Sequence, residues 1–284
     1  MKKILIYTNF DQESSHAIHY GVEMAIKEKL GVELLHVINT AHYGPDFMAT
    51  GDEFTGGSYI SAAIKQNTLL AKVSFKEIRN ELRFKYSFLP EIHTMLKTGI
   101  DTQVIIDETS QKNIILLILP GHGKRGFFDF ITDIRPVVIS EARCPVLVIP
   151  EDVEFTPFKT MVYATDFDQE DADALMRLAA IARPFNADIL AVHVTDNNDF
   201  IEKIKENGFS HLIKKKISYD NITFFSLNNN NVDQSIVKFS KEKNADSIAV
   251  LRENKNFLLK IFSKSTSETI MKNSKIPVLI FHKQ

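Results

Sequence analysis

Thr8-Asn9-Phe10-Asp11-Gln12-Glu13 returns as Thr165-Asp166-Phe167-Asp168-Gln169-Glu170, an offset of 157 residues. His36-Val37 and His193-Val194 keep that offset, each near the end of an apolar run. Cys144-Pro145-Val146-Leu147-Val148-Ile149 is answered by Ile276-Pro277-Val278-Leu279-Ile280-Phe281, now 132 residues on. Lys112-Asn113 and Lys243-Asn244 already differ by 131, so the second copy is 25 residues shorter and the loss lies upstream of them. Residues 44–61, glycine-rich and without an evident counterpart, are the natural candidate. An internal repeat of this kind means two copies of one structural unit, and 284 residues suit two domains of ordinary size.

Each copy alternates strand and helix. In the first, strands are expected at 3–8, 32–39, 91–97, 114–119 and 146–149. Helices are expected at 11–30 (ended by Gly31), 61–86, 101–112 and 134–142. In the second, strands are expected at 160–165, 188–195, 221–227, 247–251 and 278–281, with helices between. Runs such as 114–119 are apolar on both faces, which means a parallel sheet sandwiched by helices. Right-handed crossovers make each copy a doubly wound α/β domain. The boundary falls in the acidic, proline-bearing segment 151–157, giving domains of 1–150 and 156–284. Each closing strand follows a proline and ends its domain as an unpaired sheet edge. Two such edges in one chain can pair with each other, so an intramolecular pseudo-dimer is expected.

Composition narrows the function classes. Apolar residues make up 44% and charged residues 25%, the profile of a globular chain with material for two cores. A net charge of −2 offers no nucleic-acid footprint, and Lys214-Lys215-Lys216 reads as a solvated helix end. A single cysteine, Cys144, can form no internal disulfide, which points to a reducing compartment. Met1-Lys2-Lys3 followed by Ile4-Leu5-Ile6-Tyr7 is too short for a signal-peptide core. No apolar run reaches the length of a membrane span. The cytoplasm is the expected location, with neither membrane nor nucleic acid as partner.

Thr165-Asp166-Phe167, His36-Val37, Gly121-His122-Gly123-Lys124 and the run Pro145 to Ile149 resemble the universal stress protein family, and the likeness covers both copies nearly end to end. The resemblance implies a Rossmann-like, adenine nucleotide α-hydrolase-like fold, with ATP or another adenine nucleotide as the cofactor to consider. In ATP-binding members, Gly-x-x-Gly, nine residues, then Gly-Ser or Gly-Thr cradles the phosphates, because glycines let backbone N–H groups approach the oxygens. Adenine is held near the end of strand two, and an acid after strand one lies near the nucleoside. Carried onto this chain, the first site comprises Thr8, Asn9, Val37, Gly121, His122, Gly123, Gly126 and Asp133. The second comprises Thr165, Asp166, Val194, Arg252, Lys264, Ser265 and Thr266.

Both copies depart from that pattern. In the first, Pro120 takes the place of the first glycine, Asp133-Ile134 stands for Gly-Ser, and Asn9 replaces the acid. A carboxylate at a helix start takes the N–H bonds a phosphate would take, a cap worth about 0.5–2 kcal/mol, and repels the phosphate as well. In the second, Leu251 and Asn254 replace the glycines and Lys264-Ser265 replaces Gly-Ser. Ser265 and Glu268 form a capping box over the same amides, with Arg252 and Lys264 as compensating cations. Nucleotide binding is therefore expected to be weak in both. The function expected is a non-catalytic stress-response or sensor protein acting on a protein partner or small ligand. The alternative is an ATP-binding switch or slow ATPase using the first copy. Further homodimerisation is compatible with either.

Other motifs weigh less. Gly121 to Gly126 matches G-x-G-x-x-G but follows the fourth strand, the wrong place for a dinucleotide. His16 and His19 share a helix face without a third ligand, so no metal is expected. His36 and His193 read as satisfied core or edge histidines, and Cys144 as buried and inert. Asp166 is either functional or, like Asn9, a helix N-cap. Residues 44–61 are an exposed loop or a lid. No base, nucleophile or metal cluster is assembled at either site, so no catalytic residue is expected.

Overall fold

The computed structural model describes residues 1–40, 53–121, 136–151, 153–196, 200–252 and 276–283. The first copy supplies β1 (Lys3–Tyr7), α1 (Gln12–Glu28), β2 (Gly31–Asn39), α2 (Glu53–Lys85), β3 (Ile92–Gly99), α3 (Asp101–Thr109), β4 (Ile114–Pro120), α4 (Pro136–Glu141) and β5 (Val146–Ile149). The second supplies β6 (Thr160–Ala164), α5 (Gln169–Ala182) running into a 3-10 turn (Arg183–Phe185), β7 (Asp188–Thr195), α6 (Phe200–Lys216), β8 (Ile222–Asn228), α7 (Val232–Glu242), β9 (Ser247–Arg252) and β10 (Val278–His282). Among the described residues no helix is long and apolar enough to cross a membrane.

All ten strands form one sheet in the order β3-β2-β1-β4-β5-β10-β9-β6-β7-β8. Pairing within each copy is parallel. Among the described residues the one antiparallel pair joins the two closing strands, Val278 opposite Val148 and Ile280 opposite Val146. The closing-strand edge of each copy is thus paired with the other, leaving β3 and β8 as the outer strands, and the chain is an internal pseudo-dimer.

Side chains alternate across this sheet with the strand period of two. Ile4 and Ile6 join a core with α1, α2, α5 and α6 residues such as Tyr20, Phe75, Leu175 and Phe209. Leu5 and Tyr7 join the opposite core with Ile105, Val138 and Ile236 of α3, α4 and α7. Neither core stops at the seam: Leu147 and Leu279 share the first, Val148 and Ile280 the second. In the segment expected as a linker, Phe155 is packed while Glu154, Thr156 and Pro157 are exposed. Phe155 meets Tyr20 of α1 edge-on at 5.1 Å, and Phe158 meets Phe185 at 5.1 Å.

Several expected boundaries moved, the helix expected at 101–112 ending at Thr109 among them, and two of the shifts have a visible cause. Residues 53–61 are helical, since α2 starts at Glu53 and runs through Gly56 and Gly57. Each interior glycine costs about 1 kcal/mol of helix propensity, which the burial of Ala71, Phe75 and Leu82 further along the helix offsets. The rest of the 44–61 stretch, up to residue 52, lies outside the described residues. Gly31 does not end α1 either. Lys29 takes the left-handed turn at φ 55°, its N–H bonded to Ala25 O, and Gly31 already pairs with Lys3 as the first residue of β2.

At the end of α1, Glu28 has a buried Oε1 with no hydrogen-bond partner. Burial pushes its carboxyl up from 4.5 to about 7, against a smaller downward pull from Lys27. A carboxyl held above its unfolded value costs nothing below that value, a growing amount as pH rises towards 7, and its full amount beyond. Glu28→Gln is therefore expected to stabilise the chain by about 1 kcal/mol at about pH 8, after discounting for partial exposure, and to be neutral at about pH 4. Denaturant titrations at the two pH values check this; equal effects at both would refute it.

Candidate functional site

The repeated hexapeptide is a strapped turn at the end of the first strand of each copy. Thr8 Oγ1 accepts the Phe10 N–H at 3.0 Å, and Thr165 Oγ1 accepts the Phe167 N–H at 2.9 Å. Both phenylalanines are held in the left-handed region, at φ 64° and 60°, which a bulky residue adopts only under such constraint. The neighbouring strand then supplies His36 or His193, whose Nδ1 lies 2.8 Å from Thr8 O or Thr165 O. A carbonyl only accepts, so Nδ1 carries the proton in both rings. Each phenylalanine packs on its imidazole, with centroids 4.3 Å and 4.8 Å apart. Thr8, His36 and their second-copy partners thus fix one conserved-geometry corner twice.

The helix cap falls two residues beyond the position considered for it. Asp11 accepts the Ser14 N–H at 2.8 Å, and Asp168 caps α5 in a capping box with Asp171. Asn9 is instead tied to the Tyr7 hydroxyl at 2.7 Å, and its N–H donates to Ser14 Oγ. Asp166 is half-exposed, with Oδ1 3.7 Å from His193 Nδ1. The N-cap reading of both is corrected, because Phe10 and Phe167 turn the chain before the helix begins.

The corners differ in what surrounds them. In the first copy, Phe10, His36, Val37, Asn39, Asn67 and Ala71 line a crevice of 370 Å³ between β2 and α2. Burial lowers the His36 pKa, against an opposing bond to Thr8 O, so the ring is neutral and Nε2 remains an acceptor. In the second copy the same ring edge is covered. Glu202 of α6 brings Oε2 to 3.2 Å from His193 Nε2 and is itself held by Lys205 at 3.0 Å. Phe167 is packed by Phe209 at 5.4 Å and Phe224 at 6.4 Å. Val194 is buried beside this corner.

Gly121 follows β4 and donates its N–H to Ile149 O at 2.7 Å. A Cβ there would stand 2.9 Å from that same oxygen, so close backbone approach alone requires the glycine. Arg252 is the last residue of β9, opposite His282 of β10. His122, Gly123, Gly126, Asp133, Lys264, Ser265 and Thr266, with Glu268, lie outside the described residues. Of the remaining histidines, His19 bridges α1 to α2 through Tyr86 at 3.1 Å and Glu81 at 2.8 Å. The Cys144 thiol is buried and pushed up to about 12 by burial, which leaves no thiolate at neutral pH.

Sequence reasoning missed two residues. Asp171, which stands where the first copy has Ser14, is buried and accepts from Tyr163 Oη at 2.6 Å, Thr165 Oγ1 at 2.8 Å and the N–H groups of Asp166 and Asp168. The Ser-to-Asp exchange between copies was its visible signal. Glu202 left none, since its importance comes only from where α6 packs.

The model of the universal stress protein family matches residues 1–150 and 220–282. A universal stress protein of Methanocaldococcus jannaschii is 28% identical over 141 residues, covering 44% of this chain and 83% of that protein. Among solved structures, a universal stress protein from Archaeoglobus fulgidus aligns over 99% of this chain and 98% of its own, with a TM-score of 0.65 and 16% identity. One from Pseudomonas aeruginosa, described as a putative universal stress protein, aligns over 99% and 93% with a TM-score of 0.56 and 14% identity. At these identities the structural likeness speaks for the fold.

Proposed function

From the premise that the chain belongs to the universal stress protein family, we propose that it is a non-catalytic stress-response sensor whose two nucleotide sites have degenerated unequally. Its working units are domains of 1–150 and 156–284, its setting the cytoplasm, and its output the binding of a protein partner or small ligand. The observation that carries this reading is the contact of Glu202 with His193 at 3.2 Å, set against the crevice that the described residues form at His36. A carboxylate on that ring edge, with Phe209 and Phe224 behind Phe167, occupies the space beside the second-copy turn and opposes an anionic ligand there. The Asp133 and Ser265/Glu268 substitutions argue the same way for the phosphate seats, and Asn9 for the nucleoside.

Calorimetric titration with ATP–Mg tests the proposal. The expected result is no saturable heat at micromolar concentration, with a dissociation constant of about 1 mM or weaker. A second reading, an ATP-binding switch or slow ATPase in the first copy, is favoured by the crevice beside Phe10. Micromolar saturable binding abolished by Gly123→Asp would establish that reading and remove the first.

A further inference from the structure

At the rim where β1, β4 and β5 begin, a cavity of 540 Å³ lies between α1 of the first copy and α5 of the second. It shares no residue with the crevice at His36. Its wall is largely apolar, with Met24, Leu30, Ile115 and Ile181 contributed from both copies, while Lys2, Arg143, Arg177 and Glu28 are its charged members. Three cations against one carboxyl make the lining formally positive. Arg177 is fixed in place: it donates to His282 O at 2.7 Å and lies over the Phe281 ring at 5.0 Å. One bond uses one of the five N–H groups of a guanidinium. Glu28 Oε1 is buried without a hydrogen-bond partner, where buried polar atoms are nearly always partnered. Cys144, also in the wall, has its thiol held up near 12, so the cavity is built for binding rather than thiol chemistry.

We propose that this cavity binds a small amphipathic organic carboxylate, its apolar body against Met24, Leu30 and Ile181 and its head between Arg143 and Arg177, beside Glu28. In its acid form Glu28 adds no charge to oppose the ligand's carboxylate, and the two guanidinium groups neutralise the ligand. A cavity at the junction of two domains, mostly apolar with a few convergent polar groups, is the usual form of such a site. The charged groups around Glu28 are Lys27 on its own helix, Lys2 ahead of β1, Arg143 ahead of β5 and Arg177 of α5. The pH response rests on Glu28, whose carboxyl burial pushes up to about 7.

The experiment uses the full chain and octanoate as probe, with octylamine and octanol as comparators, read by calorimetry and by thermal midpoint. Octanoate is expected to saturate and, because binding needs the Glu28 proton, to weaken about tenfold between about pH 6 and about pH 8. It touches both copies and so raises the midpoint of the whole chain. Arg143→Glu, at an exposed position, is expected to weaken it about tenfold or more. Glu28→Gln keeps the affinity and abolishes its pH dependence. Absence of saturation, octylamine or octanol binding as well as octanoate, an unaffected Arg143→Glu, or a persisting pH slope in Glu28→Gln overturns the proposal. ATP takes no part in these measurements, so this inference and the stress-sensor reading fail independently.

Discussion

Phe158→Ala is expected to lower the unfolding free energy by about 3–5 kcal/mol. Phe158 is 2% exposed and belongs to the core that runs through both copies. It lies 6.0 Å from Phe155 and 5.1 Å from Phe185, while Phe155 reaches Tyr20. This aromatic chain fastens α1 of the first copy to the 3-10 turn of the second. Its loss leaves a void at the junction, so the penalty includes both the lost burial and the cavity. In guanidinium titrations the midpoint falls; should the copies uncouple, one transition becomes two. Phe84→Ala, at a position 96% exposed, is the control and should stay within about 0.5 kcal/mol. A Phe158 effect no larger than the control would show that the joining segment is only a tether.

Asp171→Ala should cost about 2–5 kcal/mol, because several buried or half-buried donors lose their acceptor at once. Tyr163, Thr165 and the turn amides of Asp166 and Asp168 all point at this carboxylate. Burial raises its pKa above the ordinary 3.8, outweighing the pull of those donors. The native state then holds the proton more firmly than the unfolded state, so ionisation costs stability as pH rises through the window above 3.8. The penalty of Asp171→Ala is accordingly largest in acid and shrinks towards neutrality. In the first copy Ser14 does the same work, accepting from the Asn9 N–H. Tyr163→Phe/Asp171→Ser, which imitates that arrangement, should recover a good part of the loss, with a coupling of about 1 kcal/mol or more in the double-mutant cycle. Strict additivity would refute the shared network.

The architecture was readable because it is written in local pattern. Runs such as Ile114 to Pro120, apolar on both faces, name buried parallel strands, and the doubled Pro-Val-Leu ending names the two strands that meet at the seam. Legibility stopped where the answer depended on packing across the fold. Asn9 and Asp166 look like caps in one dimension, yet the left-handed Phe10 and Phe167 shift the helix start to Asp11 and Asp168. His36 and His193 are indistinguishable in their strands, and only the seating of α6 makes one a crevice wall and the other the partner of Glu202. Gly121 looked like part of a phosphate seat, while its contact with Ile149 O gives it a reason of its own.

Because β10 runs against β5, the strands of one copy finish on the rim where those of the other start. The corners at Phe10 and Phe167 therefore open on opposite rims, five strand positions or about 24 Å apart across the sheet as well as about a strand length apart along it. The continuous sheet between them sets their spacing and heading. Since a single chain carries both corners, the two need not match, and they do not: one lines a crevice while the other is covered by Glu202.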